Sequence, residues 1–316
     1  MFSRPSLCFL TLLATSTLQA ELTPEQQKIP IEADSADQSL AKIVLLAGSP
    51  SNKPGQHEYF AGCALMMGWL RTLPGVWPVL VADGWPKNEA ILDGAKCVVS
   101  YMDGGPKMAF LAPDRWERMK KLAAAGTGLV ALHQGIDCPE DRASEFQQWF
   151  GGVFGKDIGC RGHWDVKFDT VPGHVVNTGI APFELTKDGW LYNLHFAPTG
   201  VTPLLAAAMP DKSRSTADAK AHIGRAETVA WAFERTGGGR SFGFTGCDLH
   251  KNWDVDAQRK LIINGILWAA HLPIPAGGAT TTCSADDLAK NLDRKIFLPK
   301  KAKPSPTAST DPAIPR

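Results

Sequence analysis

Several things are missing from this 316-residue chain, and each absence removes a class of function. Charge of one sign is missing: 33 Lys and Arg stand against 32 Asp and Glu, a net of +1. With no basic run to form a local patch either, nothing attracts a polyanion, and nucleic acid is excluded as a partner. No Cys-x-x-Cys, His-Glu-x-x-His, His-x-His or His pair at i, i+4 marks a zinc or redox site. No Gly-x-Ser-x-Gly elbow turns from a strand into a helix, and no cysteine stands at such a turn, so hydrolysis through a serine or cysteine nucleophile is disfavoured. After the first 20 residues no apolar stretch is long enough to cross a bilayer.

What is present is the composition of a soluble globular protein, 44% hydrophobic and 21% charged, able to bury a sizeable core. The start, Met1-Phe2-Ser3-Arg4 followed by the apolar run Leu7 to Ala14 and small residues up to Ala20, reads as a secretory signal peptide cut after Ala20, which predicts a periplasmic or secreted protein. Export permits disulfides, but the six cysteines beyond Cys8 are too scattered for a stapled mini-domain; Cys138 and Cys160, in loop-like sequence, are the pair able to bridge. Residues 21–40 read as a linker, 41–275 as one α/β domain, and 276–316 as an extension whose Pro, Ala, Thr and Lys content predicts that most of it is disordered.

Within the domain, apolar runs at Lys42 to Ala47, Trp77 to Ala82, Lys96 to Tyr101 and Gly128 to Leu132 alternate with helical spacing, as at Phe60, Ala64, Met67 and Leu70 and over Asp114 to Ala125. This alternation predicts a doubly wound α/β fold on a mostly parallel sheet. From Gly151 to Met209 short alternating segments predict an inserted antiparallel region. The pattern resumes with Thr228 to Glu234 and Arg240 to Thr245, joined by a Gly237-Gly238-Gly239 hairpin, and closes with a helix from Asp254 to about His271.

Open α/β sheets bind ligands at the carboxyl ends of their strands. That rule gathers His57 and Glu58 after the first strand, His133 and Asp137 after the strand ending at Leu132, and His250 after the strand ending at Thr245. Imidazole beside carboxylate moves protons near neutral pH, or ligates metal when neutral. His133, Asp137 and Glu58 are therefore the catalytic candidates, and His57, His163, Tyr192, Glu227 and His250 the substrate contacts. A divalent metal, with His57, His133 and His250 as candidate ligands, stays open beside plain acid–base chemistry.

The chain resembles the ThuA-like, trehalose-utilisation family, a branch of the class I glutamine amidotransferase-like fold. The resemblance rests on Gly55-Gln56-His57-Glu58-Tyr59 with Ala61-Gly62, Gly128 to His133, His163-Trp164, Glu227 to Glu234 and Gly239 to His250, in matching order over about Lys42 to Pro275. It implies a flavodoxin-like three-layer sandwich without the amidotransferase cysteine. It also implies a small-molecule carbohydrate as ligand and the processing of sugars oxidised to keto-glycosides by a partner dehydrogenase. His57, Glu58, His133, His163 and His250 occupy its pocket motifs, while Gln134 stands where exported relatives carry Tyr. The expected function is thus an exported enzyme of carbohydrate utilisation, a lyase, isomerase or hydrolase; the alternative is a carbohydrate-binding protein that turns nothing over.

Overall fold

The computed structural model describes residues 21–295; the first 20 residues, expected to be a signal peptide, and the last 21 residues of the extension lie outside them. The elements follow the chain as β1 (Ala41–Ala47), α1 (Tyr59–Arg71), β2 (Val76–Val81), β3 (Cys97–Tyr101), α2 (Pro113–Ala124), β4 (Gly128–Leu132), α3 (Glu140–Phe150), β5 (Gly152–Val153), β6 (Cys160–Phe168), β7 (Phe183–Tyr192), β8 (His195–Phe196), β9 (Val201–Ala208), α4 (Ala217–Lys220), β10 (Ala226–Glu234), β11 (Arg240–Phe244), α5 (Asp256–Ala269) and α6 (Ala285–Ala289). Seven strands form one sheet in the order β2-β1-β3-β4-β11-β10-β9. The pairs from β2 through β11 are parallel, and β10 and β9 close one edge antiparallel.

β1 is buried along its whole length because it has helices on both sides. Ile43, Leu45 and Ala47 pack with α1 and α5, whereas Val44 and Leu46 pack with α2 and α3, the period-2 alternation of a strand inside a three-layer sandwich. α2 begins with Pro113 in its first turn and Asp114 just behind it, a fixed φ and a negative charge that both suit a helix start. α5 buries Leu261, Ile262, Ile263, Ile266 and Leu267 against the sheet.

Two features differ from the sequence-based expectation. The antiparallel insertion is two hairpin-like pairs, β6 with β7 and β5 with β8, while β9, expected inside it, joins the main sheet. The alternating pattern of β9 gave no sign of its partner, because pairing is set by β10 across a long loop. Residues 276–295 also pack on the domain. Ser284 and Asp287 form a reciprocal capping box that starts α6, and Trp69 Nε1 donates to Thr282 O. The preceding 21–40 segment is likewise tied down, with Ile31 bridged to Leu80 and Lys42 Nζ on Asp34. Cys138 and Cys160 are both free buried thiols; Cys160 Sγ lies 3.4 Å from Ser215 Oγ.

Candidate active site

The strand order reverses between β1 and β3, since the chain passes from β1 outward to β2 and then back to β3 on the other side. Such a switch point leaves a crevice beyond the carboxyl ends of the strands. Four neighbouring strands each deliver polar groups there: Ser51, Gln56 and His57 follow β1, Asp103 follows β3, His133 and Gln134 follow β4, and Asp248 follows β11. His57 and His133 both hold left-handed backbone, φ 50° and 52°. That conformation is uncommon for a side chain with a Cβ and concentrates at functional turns. It bends the chain sharply at the end of β4 and leaves the His133 ring buried at the base of the crevice. The loops are held together by backbone pairing: His57 N donates to Asp248 O at 3.0 Å and His250 N to Gly55 O at 2.9 Å.

The side chains converge tightly. His57 Nε2 and His133 Nε2 are 3.1 Å apart, and Asp248 Oδ1 lies 3.0 Å from the first and 3.6 Å from the second. The far side of each ring fixes its tautomer. His133 Nδ1 faces the carbonyl oxygen of Thr245 at 3.1 Å, and His57 Nδ1 faces Asp103 Oδ1 at 3.0 Å. Carbonyl and carboxylate oxygens only accept, so both Nδ1 atoms carry the hydrogen and both neutral rings present a bare Nε2 to the centre. Asp103 is oriented in turn by the Tyr59 hydroxyl at 2.7 Å and the Ser51 hydroxyl at 2.8 Å. Asp248 Oδ2 accepts from Gln56 Nε2 and pairs with His163 Nε2, both at 2.7 Å, but buried Oδ1 has no hydrogen-bond partner.

Burial disfavours charge on His57, but Asp103 and Asp248 outweigh it and raise its pKa. Burial, and then the His57 charge, push His133 down to about 4. Both carboxylates are held well below the ordinary range: burial opposes this, and the His57 ring leads the groups that overcome it. The two carboxylates thus favour a proton on His57 over one on His133.

The insertion roofs the crevice. His163 on β6 and Gly189 to Leu191 on β7 line a cavity of about 230 Å³ together with His57, His133, Gln134, Asn52, Arg161 and Asp248. Gly189 is required by close approach: a Cβ there would sit 2.6 Å from Asp248 Cβ. The neighbouring Asp188 carboxylate, pushed up to about 6 by burial, accepts the N–H groups of Cys247 and Leu249 at 3.1 and 3.0 Å and so grips the peptide on both sides of Asp248.

The family described as ThuA, trehalose utilisation, matches residues 80–269, well over half of the chain. This chain is a ThuA-family protein. Two solved structures of ThuA-like proteins share the fold: one from Parabacteroides merdae ATCC 43184, 15% identical with a TM-score of 0.54, matches over 81% of this chain and 98% of its own. One from Bacteroides uniformis ATCC 8492, 14% identical with a TM-score of 0.52, matches over 76% and 95%. At such identities the likeness is one of fold, the mostly parallel glutamine amidotransferase-like sheet. No curated protein matches the chain.

Against the ThuA-family expectation, the structure brings His57, His133 and His163 together and places the other candidates elsewhere. Asp137 lies beyond the His133 turn, 3.0 Å from Arg161 Nη2. Glu58 faces away from the crevice, accepting from Gly55 N and Asp293 N and paired with Lys295. The His250 ring is buried on Leu288 O at 3.1 Å, so the loop contributes Asp248 where an imidazole was expected. Tyr192 bonds Ser213, and Glu227 pairs with Arg214 and Arg225 beneath the insertion. Asp103 and Ser51 are absent from the sequence reading, and Gln56 and Asp248 stand in its motifs without a role, although the strand-end rule applies to β3 and β11 as it does to β4. The Gly-x-Ser-x-Gly string at 239–243 lies in and just before β11, with Ser241 buried and bonded to Trp149 O; it is no nucleophile.

Proposed function

We propose that this ThuA protein is an exported enzyme that acts on a sugar or keto-glycoside at the His57, His133 and Asp248 cluster, without glutaminase chemistry. The observation that carries the reading is the convergence of two bare imidazole nitrogens and a carboxylate oxygen at the base of a cavity large enough for one sugar ring. A carbonyl acidifies the neighbouring C–H. The cluster then needs only to accept that proton on the His133 Nε2 held open by Thr245 and to return it to the neighbouring carbon. No covalent nucleophile is required, in keeping with a Cys138 thiol that burial holds well above the ordinary range. Gln134 and half-exposed His163, at the cavity, are the groups placed to bond sugar hydroxyls. Export rests on the first 20 residues of the sequence and is checked by sequencing the amino terminus of the protein recovered from the cell exterior or periplasm.

The test is proton NMR of the protein in deuterated buffer with keto-disaccharides and their parent sugars, beside His133→Gly, a substitution that removes the ring yet suits the positive φ. Consumption of substrate, or deuterium entering next to the carbonyl, lost in the variant, is the expected result. Line broadening without turnover of any sugar would overturn the enzyme reading in favour of a carbohydrate-binding protein.

A further inference from the structure

We propose that His57 Nε2, His133 Nε2 and Asp248 Oδ1 form a binding site for a divalent first-row transition ion, with Asp103 orienting one ligand and the cavity supplying the open coordination positions. The inference rests on reading this pocket as the reaction centre and names the cofactor it would use.

Three observations carry it. The first is spacing. Nitrogen and oxygen ligands about 2.1 Å from one ion in octahedral or tetrahedral array are separated by about 3.0–3.4 Å, and here the separations are 3.0, 3.1 and 3.6 Å. The second is the lone pairs. With Nδ1 of each ring committed to Thr245 O and Asp103 Oδ1, the two neutral rings and Asp248 Oδ1 turn three acceptors on one another, and in that state no donor among the described residues satisfies Asp248 Oδ1. A buried acceptor without a partner is costly, and an ion satisfies all three at once. The carboxylate behind His57 is the usual companion of a metal-bound imidazole, fixing its tautomer and ring angle. The third is charge. Asp103 and Asp248 bring two negative charges into a site where Arg161, in the cavity lining, is engaged with Asp137, and Lys107, 3.3 Å from Asp103, is a largely exposed side chain. A divalent ion between neutral rings neutralises both carboxylates.

Imidazole nitrogen and carboxylate oxygen suit zinc, cobalt, iron, nickel or manganese better than calcium or magnesium. Three protein ligands on one side leave positions that a ketone oxygen and its adjacent hydroxyl can chelate, the grouping that distinguishes a keto-glycoside from its parent sugar. An ion and a proton compete for the same lone pairs.

The experiment is titration of the purified, chelator-treated full chain with zinc chloride by calorimetry and with cobalt chloride by visible absorption. One equivalent is expected to bind with a dissociation constant below about 1 μM, to give the absorption bands of nitrogen- and oxygen-ligated cobalt, and to raise the unfolding temperature. His133→Gly and Asp248→Asn should each lose the site, and Asp103→Asn should weaken it about 10- to 100-fold while leaving one equivalent. No stoichiometric binding, or binding unchanged in His133→Gly and Asp248→Asn, overturns the site. Turnover separates this from the broader reading. Full activity in chelated protein, unaltered by added zinc or cobalt, overturns a catalytic ion and leaves the enzyme standing. Tight binding without turnover of any sugar supports the metal site and counts against the enzyme.

Discussion

Asp248 and Glu227 are both buried carboxylates, 1% and 4% exposed, yet the chain treats them in opposite ways. Glu227 is closed off by donors. Arg214 Nη1 lies 2.6 Å from Oε1 and Arg225 Nη2 3.0 Å from Oε2, and Arg214 is itself completed by Asp211 and by Arg225 O. All of these partners fall within one short segment, so local sequence is enough to build the network. Asp248 receives its neighbours from β1, β4 and β6, up to 192 residues away, and one of its oxygens gains no hydrogen-bond donor. A buried charge needed for structure is surrounded by donors; a buried charge collected among other acceptors leaves room for a ligand.

The contrast is sharpest if each cluster is broken. Asp248→Asn is expected to lower turnover of a keto-glycoside by about 10³-fold while the unfolding temperature moves by only a few degrees, measured by initial rates and thermal melts on the same sample. Should it unfold the protein instead, Asp248 belongs with Glu227 and the comparison fails. Arg214→Leu leaves the Glu227 charge to the half-exposed Arg225 alone and should cost about 3 kcal/mol in urea unfolding, with the rate per folded molecule unchanged. Asp293 lies between the two cases: its Oδ1 accepts from Gln26, its Oδ2 has no hydrogen-bond partner, and burial followed by the Glu58 charge pushes its pKa up to about 6. The folded state therefore holds this proton more tightly than the unfolded chain, and stability falls as pH rises from about 4 through 6. Asp293→Asn should remove about 2 kcal/mol of that fall, seen in unfolding curves at pH 4 and pH 7. The smallest effect is expected for Cys138→Ala: a rate within about twofold of the parent, because no thiol acts as nucleophile. Loss of activity there would return covalent chemistry to consideration.

Much of the fold was legible because parallel strands buried on two faces announce themselves as unbroken apolar runs, as in Lys42 to Ala47, with amphipathic helices between them. The edge partner of β9 and the docking of α6 were not, since each depends on long-range pairing that leaves no periodic mark. Of the site, His57 and His133 were legible from residue type and strand-end position, and His163 from its place beside Trp164 in the inserted region. Asp103 and Asp248 follow strands equally closely, but an aspartate in a loop is common and only its neighbours distinguish it. Glu58 and His250 read as site residues from sequence because they adjoin a loop that does enter the crevice; the helix start at Tyr59 turns Glu58 away, and His250 contributes its backbone N–H, with its ring bonded to Leu288.

That turned-away glutamate has a practical meaning for where this protein can be shortened. Lys295, 274 residues past the first described one, reaches both Glu58 and the carbonyl of Gln56, and so clamps from behind the peptide that presents His57. A chain cut at residue 275 would keep every strand, every cavity-lining side chain and the whole region matched by the family, but would leave the Glu58 carboxylate without its cation and the His57 turn unbraced. The minimum length for activity should therefore exceed the minimum length for folding, and truncations chosen by family boundaries would report a dead protein for reasons unrelated to its chemistry.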